Sequence, residues 1–467
     1  MSSLSNLTIH SIGGGWGKDV EDEGLELVAV IRGTDIPNLE INNIQGVPFR
    51  YETQKKIQSR LLQIGDLVIE ISGGSASSKQ RTGRCLYITD ELLKNLGGKV
   101  IPASFCKLLR LDRKKVNSKY VYYQIKAMHL SDEIASFENQ STGISNFQFN
   151  RFIDEIRPSI LDIEVQNKIV NFLEKIDLKI INNININQTL EQIAQTIFKS
   201  WFIDFDPVHA KANALASGQT LEQATQAAMA VISGKNTQEL HRLQTANPEQ
   251  YQQLWEIAEA FPSGVDEEGV PWGWEEKPLP ELIDFLEGPG IRNWQYTEEE
   301  DGIKFINIRC IKNGDLSLET ANKITREEAF GKYAHFQLKE DDIVISTSGT
   351  LGRFALVRNE HLPLCLNTSV IRFRPIENKS TLAFLLGLAS NQLQYELEAR
   401  ASGSVQRNFG PTHLKQISVL LPDFYLLSLH NKYISTLFEL RKSNLRENDL
   451  LMKTRDVLLP KLLSGEV

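Results

Sequence analysis

A long-period internal repeat constrains this chain more than any other feature. Gly65-Asp66-Leu67-Val68-Ile69-Glu70-Ile71-Ser72-Gly73 lines up with Asp341-Asp342-Ile343-Val344-Ile345-Ser346-Thr347-Ser348-Gly349, and five of the nine positions are identical. Upstream, Val30-Ile31-Arg32-Gly33 faces Asn307-Ile308-Arg309-Cys310. Downstream, Gly83-Arg84 faces Gly352-Arg353, Arg110 faces Arg372, Asn146-Phe147 faces Asn408-Phe409, and Asn167-Lys168 faces Asn431-Lys432. The order never changes. A period near half the chain is far longer than the roughly 20–50 residues of a solenoid unit, so the repeat means two like globular halves.

Each half follows one plan. Short apolar runs ended by Gly, such as Leu67–Ile71 and Ile343–Ile345, read as buried strands. A long amphipathic helix then follows, from about Ile163 to Phe202 in the first half and from about Leu429 to Leu463 in the second. Ile169, Phe172, Ile176, Asn183, Ile186, Leu190, Ile193 and Ile197 fall on a and d of one heptad frame. In the second helix Leu437, Asn444, Leu451 and Leu458 lie seven apart, with Tyr433 and Leu440 between. The expected class is α+β: two similar α/β globular domains separated by two long antiparallel helices that form a coiled coil with pseudo-twofold symmetry. The expected boundaries are 1–155, 156–208 (first helix), 209–269 (helical connector), 270–422 and 423–467 (second helix). Capping boxes at Thr220-Leu221-Glu222-Gln223 and Asn247-Pro248-Glu249-Gln250 mark helices in the connector. One Asn stands at a central a position of each helix. Asn183 and Asn444 are therefore expected side by side, fixing the register.

Charge is distributed unevenly. The net charge is −8, yet residues 51–120 carry 14 basic against 6 acidic side chains, and residues 261–340 carry 9 against 17. A basic first segment can neutralise phosphates while the whole chain stays acidic. The four cysteines, Cys85, Cys106, Cys310 and Cys365, are dispersed, which argues against a disulfide framework or a zinc site and fits a reducing cytoplasm. The first 25 residues contain no basic-then-apolar segment, so no signal peptide is expected, and no apolar run reaches the ~18 residues of a membrane span, so no membrane partner is expected.

Self-contained DNA enzymes carry recognisable motifs, and this sequence has none. There is no NPP[YF] loop for a target base, no Gly-rich turn for S-adenosylmethionine, no GxxxxGK[ST] phosphate loop and no convincing nuclease carboxylate pair. Gly13-Gly14-Gly15 and Gly288-Pro289-Gly290 read as turns at equivalent places in the two halves. No catalytic residue, metal ligand or cofactor of its own is assigned to the chain. The candidate DNA-binding residues are Arg32, Lys79, Arg81 and Arg84 in the first half and Arg309, Arg353, Gln406 and Arg407 in the second. Arg to guanine is the commonest specific base contact, and Ser/Gly-rich loops such as Ser72–Gly83 let backbone approach phosphate. Two other classes stay open at this point: a restriction nuclease or methyltransferase fused to its reader, and a coiled-coil scaffold that binds only protein.

Three strings give the chain a family resemblance. Phe198-Lys199-Ser200-Trp201-Phe202-Ile203-Asp204-Phe205-Asp206-Pro207-Val208 is similar to the signature that ends the central helix of type I restriction–modification specificity subunits. Leu458-Leu459-Pro460-Lys461-Leu462-Leu463-Ser464-Gly465-Glu466 is similar to their usual C-terminus, and Gly403-Ser404-Val405-Gln406-Arg407-Asn408-Phe409 resembles the entry to their distal helix. The resemblance covers nearly the whole chain, although the connector at 209–269 is longer than the family pattern. It implies two target recognition domains, each reading one half of a bipartite, asymmetric site in double-stranded DNA. It also implies two methyltransferase subunits docked on the helices and motor-nuclease subunits that join for cleavage. S-adenosylmethionine, ATP and Mg would belong to those partners.

Overall fold

The computed structural model describes residues 3–75, 81–141, 144–158, 161–400 and 411–465. The chain divides into two compact units, Met1–Ile186 with Asn444–Val467, and Asn187–Ser443. In the first unit, Leu67–Glu70 is buried on both faces and forms the centre of an antiparallel sheet. The strand order is Thr8–Gly13, Cys106–Leu111, Leu67–Glu70, Cys85–Tyr87. A second sheet places Leu25–Ile31 between Phe49–Thr53, antiparallel, and Val100–Pro102, parallel.

The second unit repeats this topology. Its four-stranded sheet runs Ile283–Glu287, Val370–Pro375, Ile343–Ser346, Phe354–Leu356, again antiparallel throughout. Its three-stranded sheet places Ile303–Phe305 between Lys323–Ile324, antiparallel, and Leu364–Cys365, parallel. The likeness extends to single atoms. The Asp66 carboxylate accepts from Gln63 N at 2.7 Å, and Asp342 accepts from Lys339 N at 2.7 Å. The residue before each carboxylate has positive φ, Gly65 at 85° and Asp341 at 67°. Gly14 and Gly288 are fixed by close approach: a Cβ there would lie 2.1 Å from Ala103 O and 2.0 Å from Asn367 O.

One equivalence expected from sequence needs correction. Leu67 pairs with Leu109 and Ile343 with Phe373, so the counterpart of Arg110 is Arg374, not Arg372. The side chains agree: Arg110 binds Asp66, Arg374 binds Asp342, and Arg372 turns to Asp284. Arg372 lies two residues earlier on the same face of the strand, opposite Val344, so register and not face separates it from the Arg110 position. The sequence pairing of Asn146-Phe147 with Asn408-Phe409 falls outside the described residues.

The long helices span Ile163–Phe202 and Phe424–Ser464, the second beginning five residues before its expected start. In the first unit their directions oppose, since Asp177 meets Arg455 at 2.9 Å while Asn183 meets Asn448 at 2.9 Å. The second unit has the same sense: Leu190 and Arg441 line one cavity, and Trp201 meets His430 at 5.3 Å. The seam differs from the expected one. Phe172, Ile186 and Ile193 are exposed, whereas Leu173, Ile180 and Asn187 are buried. The a positions are kept and e replaces d, because both choices alternate steps of three and four and apolar residues occupy both. The expected Asn183–Asn444 pair is replaced as well. Asn183 Nδ2 donates to Asn448 Oδ1 and to Glu447 Oε2, about one helical turn beyond Asn444.

Between the first helix and the second domain, four helices occupy Asp206–Ala216, Leu221–Ser233, Thr237–Ala246 and Pro248–Ala260. The Thr220–Gln223 capping box forms with both bonds, and Asn247 caps Gln250 with Pro248 in the first helical turn. Buried Lys211 donates to the carbonyls of Ala258, Glu259 and Phe261, closing the end of the last connector helix.

Candidate nucleic-acid interface

The antiparallel hairpin of Leu67–Glu70 with Cys85–Tyr87 sets Glu70 opposite Arg84. Arg84 Nε and its second nitrogen donate to the two Glu70 oxygens at 2.8 and 2.7 Å, and Glu70 is 2% exposed. Gly33 and Gly73 bracket the carboxylate so closely that a Cβ on either would lie 2.3 or 2.5 Å from Glu70 Oε1. Arg84 therefore spends its fork inside the domain. Arg81 grips Asp132 with two bonds of 2.7 Å and reaches Glu138 at 3.2 Å, and these partners hold its guanidinium above its ordinary pKa. Arg32 likewise forks onto Asp35 and donates to Gly46 O at 2.7 Å. Lys79 lies outside the described residues. Sequence reading missed Glu70 and Glu138, and the hairpin register is the signal that would have found the first.

The second domain treats the equivalent position differently. Ser346 stands where the first domain has Glu70, and its hydroxyl donates to Thr350 O at 2.6 Å while accepting from Arg353 N at 3.0 Å. Among the described residues no carboxylate claims the Arg353 guanidinium. Arg353 is exposed and donates to Ile308 O at 3.2 Å, which sets it against the turn Ile308–Cys310 that carries exposed Arg309. Among the described residues neither arginine has an ion-pair partner. Arg32 precedes its turn whereas Arg309 sits inside its own, so the two are close but not strict equivalents. Gln406 and Arg407 lie outside the described residues.

The remaining chemistry is sparse. Among the described residues no three His, Cys, Asp or Glu side chains are grouped to hold a metal. All four cysteines are buried as free thiols, and burial pushes Cys106 and Cys365 up to about 12, which keeps them from acting as thiolate nucleophiles. No helix of the described residues is long and apolar enough to cross a membrane.

Two domains of one topology, each with its own long helix, define a duplicated architecture, and the comparisons give its class. Residues 271–440 match the family described as type I restriction modification DNA specificity domain. The chain belongs to the specificity subunits of type I restriction enzymes. It is 36% identical over 330 residues to the HindI specificity subunit of Haemophilus influenzae, covering 68% of this chain and 70% of that protein. It is 23% identical over 366 residues to the MjaIX specificity subunit of Methanocaldococcus jannaschii, covering 75% and 69%. A crystal structure of a type I S subunit from M. genitalium aligns over 99% of this chain and 95% of its own, with TM-score 0.44 and 16% identity.

Proposed function

We propose that this chain is the non-catalytic, sequence-specific DNA-binding subunit of a type I restriction–modification complex. Each domain reads one half of a bipartite, asymmetric site in double-stranded DNA. Two methyltransferase subunits and motor-nuclease subunits join it in the cytoplasm and bring S-adenosylmethionine, ATP and Mg. The observation that carries this reading is the duplicated topology with unlike surfaces: the same loop arginine is neutralised by Glu70 in one domain and left to solvent in the other. Two unlike readers fit an asymmetric site.

The test exchanges residues 1–155 for the matching domain of a relative and maps the modified motif of the assembled enzyme. One half-site should change and the other persist, and the purified chain alone should neither methylate nor cut DNA. Methyl transfer by the chain alone, or a motif altered in both halves, would refute the assignment.

Arg309 and Arg353 give a narrower prediction. Replacing both by Ala should lower affinity for the assembled enzyme's site and reduce the salt slope by about 2, or cost roughly 1–3 kcal/mol at one base pair for each arginine that reads a base. The Arg84→Ala enzyme should show no comparable change in salt slope, since Glu70 already neutralises that charge. Equal slopes for the two variants would show that exposure at this loop is irrelevant to DNA.

A further inference from the structure

We propose, resting on that reading, that the first domain recognises an A·T base pair through an open cleft at the end of strand Leu67–Glu70, using Phe105, Lys107, Gln148 and Asn150. The cleft has a volume of about 490 Å³. Its floor is built by the backbone: Ile71 N donates to Phe105 O at 2.8 Å, and Phe147 N donates to Ile71 O at 2.9 Å. Phe105 is thus pinned at its main chain while its ring is 66% exposed.

Lys107 is a cation on the wall of this cleft. Its Nζ lies 4.2 Å from the centroid of the Phe149 ring and 3.4 Å from Asn150 Oδ1, and among the described residues it meets no carboxylate. Burial lowers its pKa from the ordinary lysine value, so an arriving phosphate would supply the countercharge that the fold withholds. Arg81, Arg84 and Arg110 are each already matched by carboxylates.

The amides supply selectivity. Gln148 precedes the helix Phe149–Glu155, but its side chain makes no capping bond and has no hydrogen-bond partner among the described residues. Asn150 is exposed, and its oxygen accepts from Lys107, leaving its NH₂ free to donate. A carboxamide matches the N6/N7 edge of adenine in the major groove, and an apolar ring suits the thymine methyl. Guanine calls for a forked cation, and the nearby Arg151 is committed to Glu155 at 2.8 Å and Ser136 O at 3.0 Å. The second domain lacks the cation at the position of Lys107. Lys107 pairs with Ile69 as Ile371 pairs with Ile345, so an aliphatic side chain replaces the cation there.

The test uses the enzyme assembled with its methyltransferase partner, its modified motif, and duplexes carrying single base-pair changes. The half-site assigned to residues 1–155 should contain an A·T pair whose change to G·C weakens binding roughly 5- to 150-fold. Gln148→Ala should abolish that discrimination and leave the other half-site unchanged. Lys107→Ala should weaken all duplexes alike and reduce the salt slope by about 0.9. Gln148→Glu keeps the side chain's size and removes its donor, so it should also lose adenine preference if the Ala variant fails to fold. If the wild-type enzyme reads a bipartite site but the Gln148 and Lys107 variants keep motif, affinity and salt slope, the cleft is not the reader. If the wild-type enzyme reads no bipartite site, the functional assignment itself falls.

Discussion

Asp66→Ala should destabilise the first domain by about 3–5 kcal/mol, and Asp342→Ala should do the same in the second. Asp66 is 1% exposed and receives two Arg110 bonds of 2.7 Å besides the Gln63 amide. Asp342 is also 1% exposed and binds Arg374 and the Lys339 amide in the same way. Removing either carboxylate strands a half-buried guanidinium and opens the turn that starts the central strand. Because Arg110 keeps about a fifth of its side chain in water, the lower end of the range is expected. Asp66→Asn keeps the turn bond and shape, so it should cost less than Asp66→Ala. Thermal unfolding checks this, a loss of 1 kcal/mol in a domain of this size lowering the midpoint by about 2–4 °C. A shift under one degree for either Ala variant would show the pair to be a bystander.

What the sequence made legible follows from where information is local. The nine-residue repeat around Asp66 and Asp342 was readable because strand, turn and carboxylate lie within one short window. The extent of the first long helix and the Thr220 capping box were readable for the same reason. The failures all needed pairing. Arg110 was aligned with Arg372 because both are arginines on equivalent strands, and only the register to Leu67 and Ile343 moves the match to Arg374. The helix seam was misread because Phe172 and Leu173 are both apolar, and the partner helix decides which is covered. Among the site residues, Arg81 and Arg84 looked free because Asp132 and Glu70 lie 51 and 14 residues away in the chain. Phe105 and Lys107 went unnoticed because their cleft is completed by Gln148 and Asn150, some 43 residues downstream of Lys107 at the farther one. A single basic residue in a strand carries no signal until its lack of a carboxylate is seen.

His430→Leu should raise stability, and by more in acid than at neutral pH. His430 is fully buried in the second unit, 4.8 Å from the Phe202 ring and 5.3 Å from Trp201, and neither ring nitrogen has a hydrogen-bond partner among the described residues. Burial alone pushes its pKa down to about 3. In the unfolded chain it returns to about 6.5. Between these values the unfolded chain binds the proton and the folded chain refuses it, so stability falls as pH falls. The contribution is fully present above about pH 6.5 and is lost at about 1.4 kcal/mol per pH unit towards pH 3. At pH 5 that loss is about 2 kcal/mol, the product of about 1.5 pH units and this slope. Leucine has similar bulk, carries no proton and removes two buried polar atoms that each cost about 1–3 kcal/mol when unpaired. The variant should therefore gain at pH 7, and its advantage over the parent should widen by about 2 kcal/mol at pH 5. Comparing the two proteins by denaturant unfolding at both pH values cancels every other titrating group. An advantage that stays constant between pH 7 and pH 5 would mean that the imidazole can take up its proton inside the fold, and the aromatic enclosure would not be the proton barrier described.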